Sequence, residues 1–106
     1  MILRHWRGWT TEENADLYDG IVREVLAGIA AREVAGYRGA YLARRELGYE
    51  TEFATILLFD STESVRAFAG DDYVIAYVPR QAREVLARFD ERSLHFEILL
   101  TPEETQ

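Results

Sequence analysis

The stretch Glu52-Phe53-Ala54-Thr55-Ile56-Leu57-Leu58-Phe59 decides the fold. On a strand, side chains alternate between faces, so Phe53, Leu57 and Phe59 point one way and Ala54, Ile56 and Leu58 the other. Only Glu52 and Thr55 are polar, and both faces therefore need cover. A sheet with helices on one side normally turns polar residues to its free face. The chain has 106 residues, which suits a single domain over residues 1–106 with one core. No element is spare for the second face. The expected cover is the same face of a second copy, packed sheet to sheet as a homodimer. A face left flat and half-exposed is the alternative, disfavoured because monomers seldom expose large apolar patches.

Working outward, Ile2 to Trp9 reads as a first strand, with Trp6 and Trp9 on opposite faces and Gly8 marking a bulge or a close backbone approach. Thr10 and Glu13 fit a capping box. A helix to about Arg32 should follow, with Tyr18, Ile21, Val22, Val25 and Ile29 on its buried stripe. Gly36 to Glu46 reads as a second strand, and Gly48-Tyr49 as the turn into the third strand, Glu52 to Phe59. Asp60 or Ser61 caps a short helix whose inner face holds Val65 and Phe68, and Gly70 ends it. Pro79 fits the start of a third helix with Ala82, Val85, Leu86 and Phe89 on one stripe. Ser93 to Leu100 is the last strand. The order β-α-β-β-α-β, with its second helical part broken in two, is the ferredoxin-like α+β arrangement. It predicts a four-stranded antiparallel sheet with the helices on one face.

Composition narrows the chemistry. All 12 basic residues are arginine, and there is no cysteine. Schiff-base lysine chemistry, a P-loop lysine, thiol nucleophiles, disulfides and thiolate metal sites are thereby excluded. A net charge of -7 speaks against a nucleic-acid partner, since such a surface must neutralise phosphates. It also speaks against a polyanionic ligand, unless arginines cluster locally. No apolar run approaches a membrane span. The first residues lack the pattern of a secretory signal. The expectation is a cytoplasmic protein with no membrane partner.

The segments Trp6-Arg7-Gly8-Trp9-Thr10, Gly36-Tyr37-Arg38-Gly39-Ala40-Tyr41, Glu52-Phe53-Ala54-Thr55, Phe59-Asp60-Ser61 and Val65-Arg66-Ala67-Phe68-Ala69-Gly70-Asp71-Asp72-Tyr73 resemble the antibiotic biosynthesis monooxygenase family of the dimeric α+β barrel superfamily. The resemblance spans nearly the whole chain. It implies a homodimer of two sheets, with a cavity between sheet and helices in each protomer. Some members oxidise aromatic polyketides with O2 and no cofactor, some oxidise quinols, and some bind and degrade haem. Haem degraders carry tryptophan where Phe68 stands and a ligating histidine near Tyr77 or Val78. The polyketide oxygenases carry asparagine near Ser64, tryptophan near Phe68, tyrosine near Tyr73 and arginine near Arg88, of which the last two match.

Oxygenation without a cofactor needs an aromatic pocket, a proton acceptor and a group that stabilises an anion. His5 and His95, on neighbouring first and last strands, are candidate bases, and Tyr73, at the helix break, is the third catalytic candidate. An ordinary strand histidine is the competing reading for each imidazole. Trp9, Tyr37, Phe68, Tyr77 and Arg88 are candidates for contact with a small aromatic ligand, against a default of core packing or, for Arg88, a solvated helix face. His95 and Glu97 share a strand face and with His5 could form a metal site, but two ligand types at period two are a weak signal, so no metal and no cofactor are expected. The function expected is a cofactor-independent monooxygenase acting on an aromatic or quinol-like substrate. The alternative is a non-catalytic binding or sensing module on the same dimeric scaffold.

Overall fold

The computed structural model describes residues 1–106. Strand β1 (Ile2–Thr11) leads into helix α1 (Ala15–Ala31), followed by β2 (Tyr37–Glu46), β3 (Glu50–Phe59), α2 (Thr62–Ala69), α3 (Arg80–Arg83), β4 (Arg88–Phe89) and β5 (Leu94–Glu97). A short 3-10 turn, Pro102–Thr105, ends the chain. The sheet is antiparallel, in the order β2-β3-β1-β4, with β5 also paired to β1, and the helices lie on one face. No helix is long and apolar enough to cross a membrane.

The alternation in β3 is the one its sequence dictates. Thr51, Phe53, Thr55, Leu57 and Phe59 are buried under the helices, and the residues between them are partly exposed on the outer face. Register carries this division across the sheet, because directly opposed residues share a face. Arg4, Trp6 and Gly8 of β1 oppose Leu57, Thr55 and Phe53, which makes them inward. His5, Arg7 and Trp9 oppose Ile56, Ala54 and Glu52, which makes them outward. The two tryptophans therefore do take opposite faces. Two apolar clusters fill the inner side. One is built on the edge-to-face pair Tyr18 and Phe53, with ring centroids 4.8 Å apart. The other is built on Leu57, Phe59 and Val65.

Three local expectations are corrected. The Thr10–Glu13 capping box does not form: β1 continues through Thr11, Thr10 is sealed opposite Thr51, and Asn14 takes the N-cap position without a side-chain cap. The third helix stops after one turn. The Ala87 N–H donates to the Trp9 carbonyl, and Phe89 joins the sheet opposite Gly8. Of the two readings for Gly8 the close approach holds, since a Cβ there would stand 2.9 Å from Leu86 and 3.1 Å from the Trp6 ring. The last column holds two strands instead of one, giving five strands where four were expected. Between β4 and β5 the chain turns aside, so that Ala76 N–H meets the Glu91 carbonyl and Ser93 N–H meets the Val74 carbonyl. The second helix begins as its sequence indicates: Ser61 Oγ accepts the Ser64 N–H at 3.2 Å.

Candidate functional site

A cavity of about 530 Å³ lies between α1 and the inner sheet face, within the size range of small-molecule sites. Tyr18, Val22, Leu26 and Ile29 wall it from α1, Trp6 and Leu57 from the sheet, and Phe68 from α2. Fifteen of its 21 lining residues are hydrophobic, so the few polar ones set the orientation of any ligand. Trp6 is held in place by its indole N–H, which donates to the Asp90 carbonyl at 2.6 Å. The Thr55 side chain faces the same space, and its hydroxyl is buried without a partner. Burial pushes the Tyr18 hydroxyl up to about 12, so it stays protonated.

The principal polar group in the wall is Arg4. It is only 6% exposed and forms no ion pair with any carboxylate. Its Nη1 donates to the Tyr73 carbonyl and lies 2.9 Å from His95 Nε2. Its guanidinium carbon sits 5.6 Å from the centre of the Phe68 ring. Burial lowers the Arg4 pKa from its ordinary value, yet a guanidinium stays charged. Arginine can only donate, so His95 Nε2 accepts, and the ring proton sits on Nδ1. Burial first, and the Arg4 charge second, hold the His95 pKa below its usual value. The imidazole is neutral, a proton acceptor beside a cation.

Neutral His95 carries a stability consequence. In the folded protein it resists protonation more than it does in the unfolded chain, so below about 6.5 the unfolded state binds the extra proton. Stability is therefore expected to fall as pH drops through that value and to be fully kept above it. The carboxylates of Glu46, Glu52 and Asp60, lowered by their hydrogen-bonding partners, act in the same direction but in a more acidic window. Urea midpoints measured down the pH scale check this. A His95→Gln variant should flatten the profile near 6.5 and leave the more acidic part.

The sequence candidates divide. Phe68 and Tyr77 line the cavity, Tyr77 at its mouth with 86% exposure. Tyr73 and His95 stand behind Arg4, their rings edge to face at 5.0 Å. Tyr37 packs on Phe59 at 5.6 Å, outside the lining. His5, Trp9 and Arg88 are on the other side of the sheet. His5 lies opposite Ile56 and Leu94. Trp9 is buried beneath Arg88, whose guanidinium carbon is 3.9 Å from its ring, and its indole donates to Glu52. Arg88 is not on a helix; it sits in β4 and forks onto Glu50 at 2.9 and 3.3 Å. Since His5 and His95 face opposite ways, the H-x-E pair gains no third ligand, and no three metal-binding side chains converge. Arg4 is the residue the sequence reading passed over. The signal was parity: two positions from inward Trp6, it had to face inward as well.

No family model and no curated protein matches the chain. Nine chains of solved structures do, among them two of MhuD. One is a crystal structure of a mutant of MhuD with two manganese protoporphyrin IX bound per active site, with TM-score 0.60 and 21% identity over 95% of this chain and 97% of that one. The other is the haem degrader MhuD from Mycobacterium tuberculosis with two haems bound in its active site, with TM-score 0.57 and 20% identity over 95% and 98% of the two chains. At these identities the likeness is one of fold, and the chain has the ferredoxin-like α+β fold of those structures.

Proposed function

We propose that the protein is a cofactor-independent monooxygenase that takes a flat aromatic or quinol-like molecule into the cavity beneath α1. The observation that carries this is an apolar cavity whose wall holds one buried cation, Arg4, backed by a neutral imidazole. The chemistry begins with loss of a proton from an acidic O–H or C–H. The electron-rich anion then passes one electron to O2, and the two radicals combine to a peroxide. For a CH2 between two aromatic rings, loss of water from the hydroperoxide leaves C=O, with one oxygen atom in the product and one in water. The apolar walls hold the ring and exclude water. Arg4 holds the resulting negative charge, with His95 Nε2 fixing its guanidinium from behind, and the proton leaves to solvent.

A porphyrin is the ligand of the MhuD structures. Here His5 is on the outer face and His95 Nε2 is engaged by Arg4, so neither imidazole is free to hold haem iron in the cavity. Oxygen uptake over a panel of anthrones and quinols tests the proposal. Saturable uptake is expected, and Arg4→Gln should lower kcat/KM by about tenfold or more, the scale of one lost charge-assisted contact. Saturable binding without uptake would leave a sensing module. A haem Soret shift lost in His95→Gln would replace the aromatic substrate by porphyrin.

The same reading includes a homodimer. Leu3, Ile56, Leu58, Tyr41, Leu94 and Phe96 share the outer face, and the last three are at least half exposed. Ile56→Glu at its centre should give monomer by light scattering where the parent chain gives dimer. A monomeric parent sinks this part of the reading.

A further inference from the structure

Arg4 uses only one of its three nitrogens. Nη1 is taken by the Tyr73 carbonyl and His95, while Nε and Nη2 have no partner and are not among the sealed polar atoms. That Nε–Nη2 edge is a two-pronged donor that matches a pair of oxygens in one plane. Elsewhere in this chain the same edge grips carboxylates: Arg38 holds Asp60 at 2.7 and 2.7 Å, and Arg88 holds Glu50 at 3.3 and 2.9 Å. On Arg4 it has no such partner, although Arg4 lines an apolar cavity and the chain has 19 acidic residues to offer.

A second arginine stands at the same end. Arg32, just past α1, lines the cavity, donates to the Phe68 carbonyl at 3.1 Å and lies 5.1 Å from the Phe68 ring, and it too lacks a carboxylate partner. Two guanidiniums with no counter-ion thus flank one ring at one end of the cavity, in a protein of net charge -7. Arg32 is exposed, but Arg4 is buried, and its unpaired charge is costly until a ligand supplies the missing partner.

We infer that the ligand carries a planar two-oxygen anion that docks on the Nε–Nη2 edge of Arg4, with Arg32 drawing it to the Phe68 end. The inference rests on the cavity being the substrate site and adds the charge and shape of what enters it. The two oxygens come either from a carboxylate on the ring or from an ionised hydroxyl beside a carbonyl on the reacting ring.

Calorimetric titration of the whole chain with two matched pairs tests it. The first pair is anthracene-2-carboxylate and its carboxamide. The second is 2-hydroxy-1,4-naphthoquinone, an anion at neutral pH, and its methyl ether. The anion of at least one pair should bind about tenfold or more tighter than its neutral partner. The pair that shows the preference identifies the source of the oxygens. Arg4→Gln should erase it, Arg4→Lys should keep only part because the charge stays and the fork is lost, and Arg32→Gln should trim it in a salt-sensitive way. Equal binding of anion and neutral partner in both pairs overturns the inference and leaves the cavity as a site. Failure of all four to bind the parent chain overturns both. The parent-chain comparison stands even where a variant fails to fold.

Discussion

Alanine at Phe59 is expected to cost the fold about 3–5 kcal/mol. Phe59 is 0% exposed at the end of β3, opposite Ile2 on one side and Tyr37 on the other. Its ring centroid is 5.6 Å from that of Tyr37 and 5.4 Å from that of Phe68, and it packs with Leu57 and Val65. Truncation removes the hub on which β2, β3 and α2 meet. Backbone ladders on both sides of β3 fix the sheet, so the space cannot close by collapse. The penalty therefore sits at the upper range of large-to-small changes and not the lower. The urea midpoint should fall with an unchanged slope. Phe68 also loses its backing, and since Phe68 is the ring beside Arg4 and Arg32, ligand affinity should fall as well. A loss under about 1 kcal/mol would mean that the cluster is not organised around this ring.

The second large effect is expected at Gly36, just before β2. Its φ of +84° lies where side chains are strained, and its carbonyl accepts the Asp60 N–H at 2.8 Å. A Cβ there would fall 1.9 Å from Ser64 Oγ and 2.7 Å from Ser64 Cβ. Strain and overlap act together, and Gly36→Ala should cost about 3 kcal/mol or more. Gly39 supplies the control. Its φ is +112°, yet nothing stands within 4 Å of a Cβ built on it. Gly39→Ala therefore carries the backbone cost alone, and the difference between the two variants reports the overlap with Ser64. Equal losses at both positions would show that Ser64 moves aside without penalty.

Much of this architecture is visible in the residues themselves. The doubled apolar pattern of β3, the stripe of α1 and the Ser61 cap follow from local rules that nothing distant overrides. The third helix is different. Ala82, Val85, Leu86 and Phe89 have helical spacing, but Phe89 finds its apolar surroundings on the sheet, opposite Gly8 and against Trp6. Spacing alone cannot distinguish those two ways of burying one ring. The site was half visible for a related reason. Aromatic residues announce a pocket by type, and of the sequence candidates Phe68 and Tyr77 do line the cavity. Arg4 has the look of a surface residue, and only register, which depends on pairing across 50 residues or more of chain, turns it inward. Register likewise sends His5 and Arg88 to the far side of the sheet.

The interruption between β4 and β5 governs how the molecule behaves when crowded. An unbroken edge strand is a template on which other chains can add and grow into fibres. Here that margin is cut into pieces of two and four residues, and the segment between them has spent its hydrogen bonds on residues 74–76. The opposite margin, β2, is studded with Arg38, Arg44, Arg45 and Glu46. Neither border invites polymerisation, so whatever stickiness the sheet has is confined to its broad outer surface, where a contact of that face with its own copy would close on a pair instead of growing.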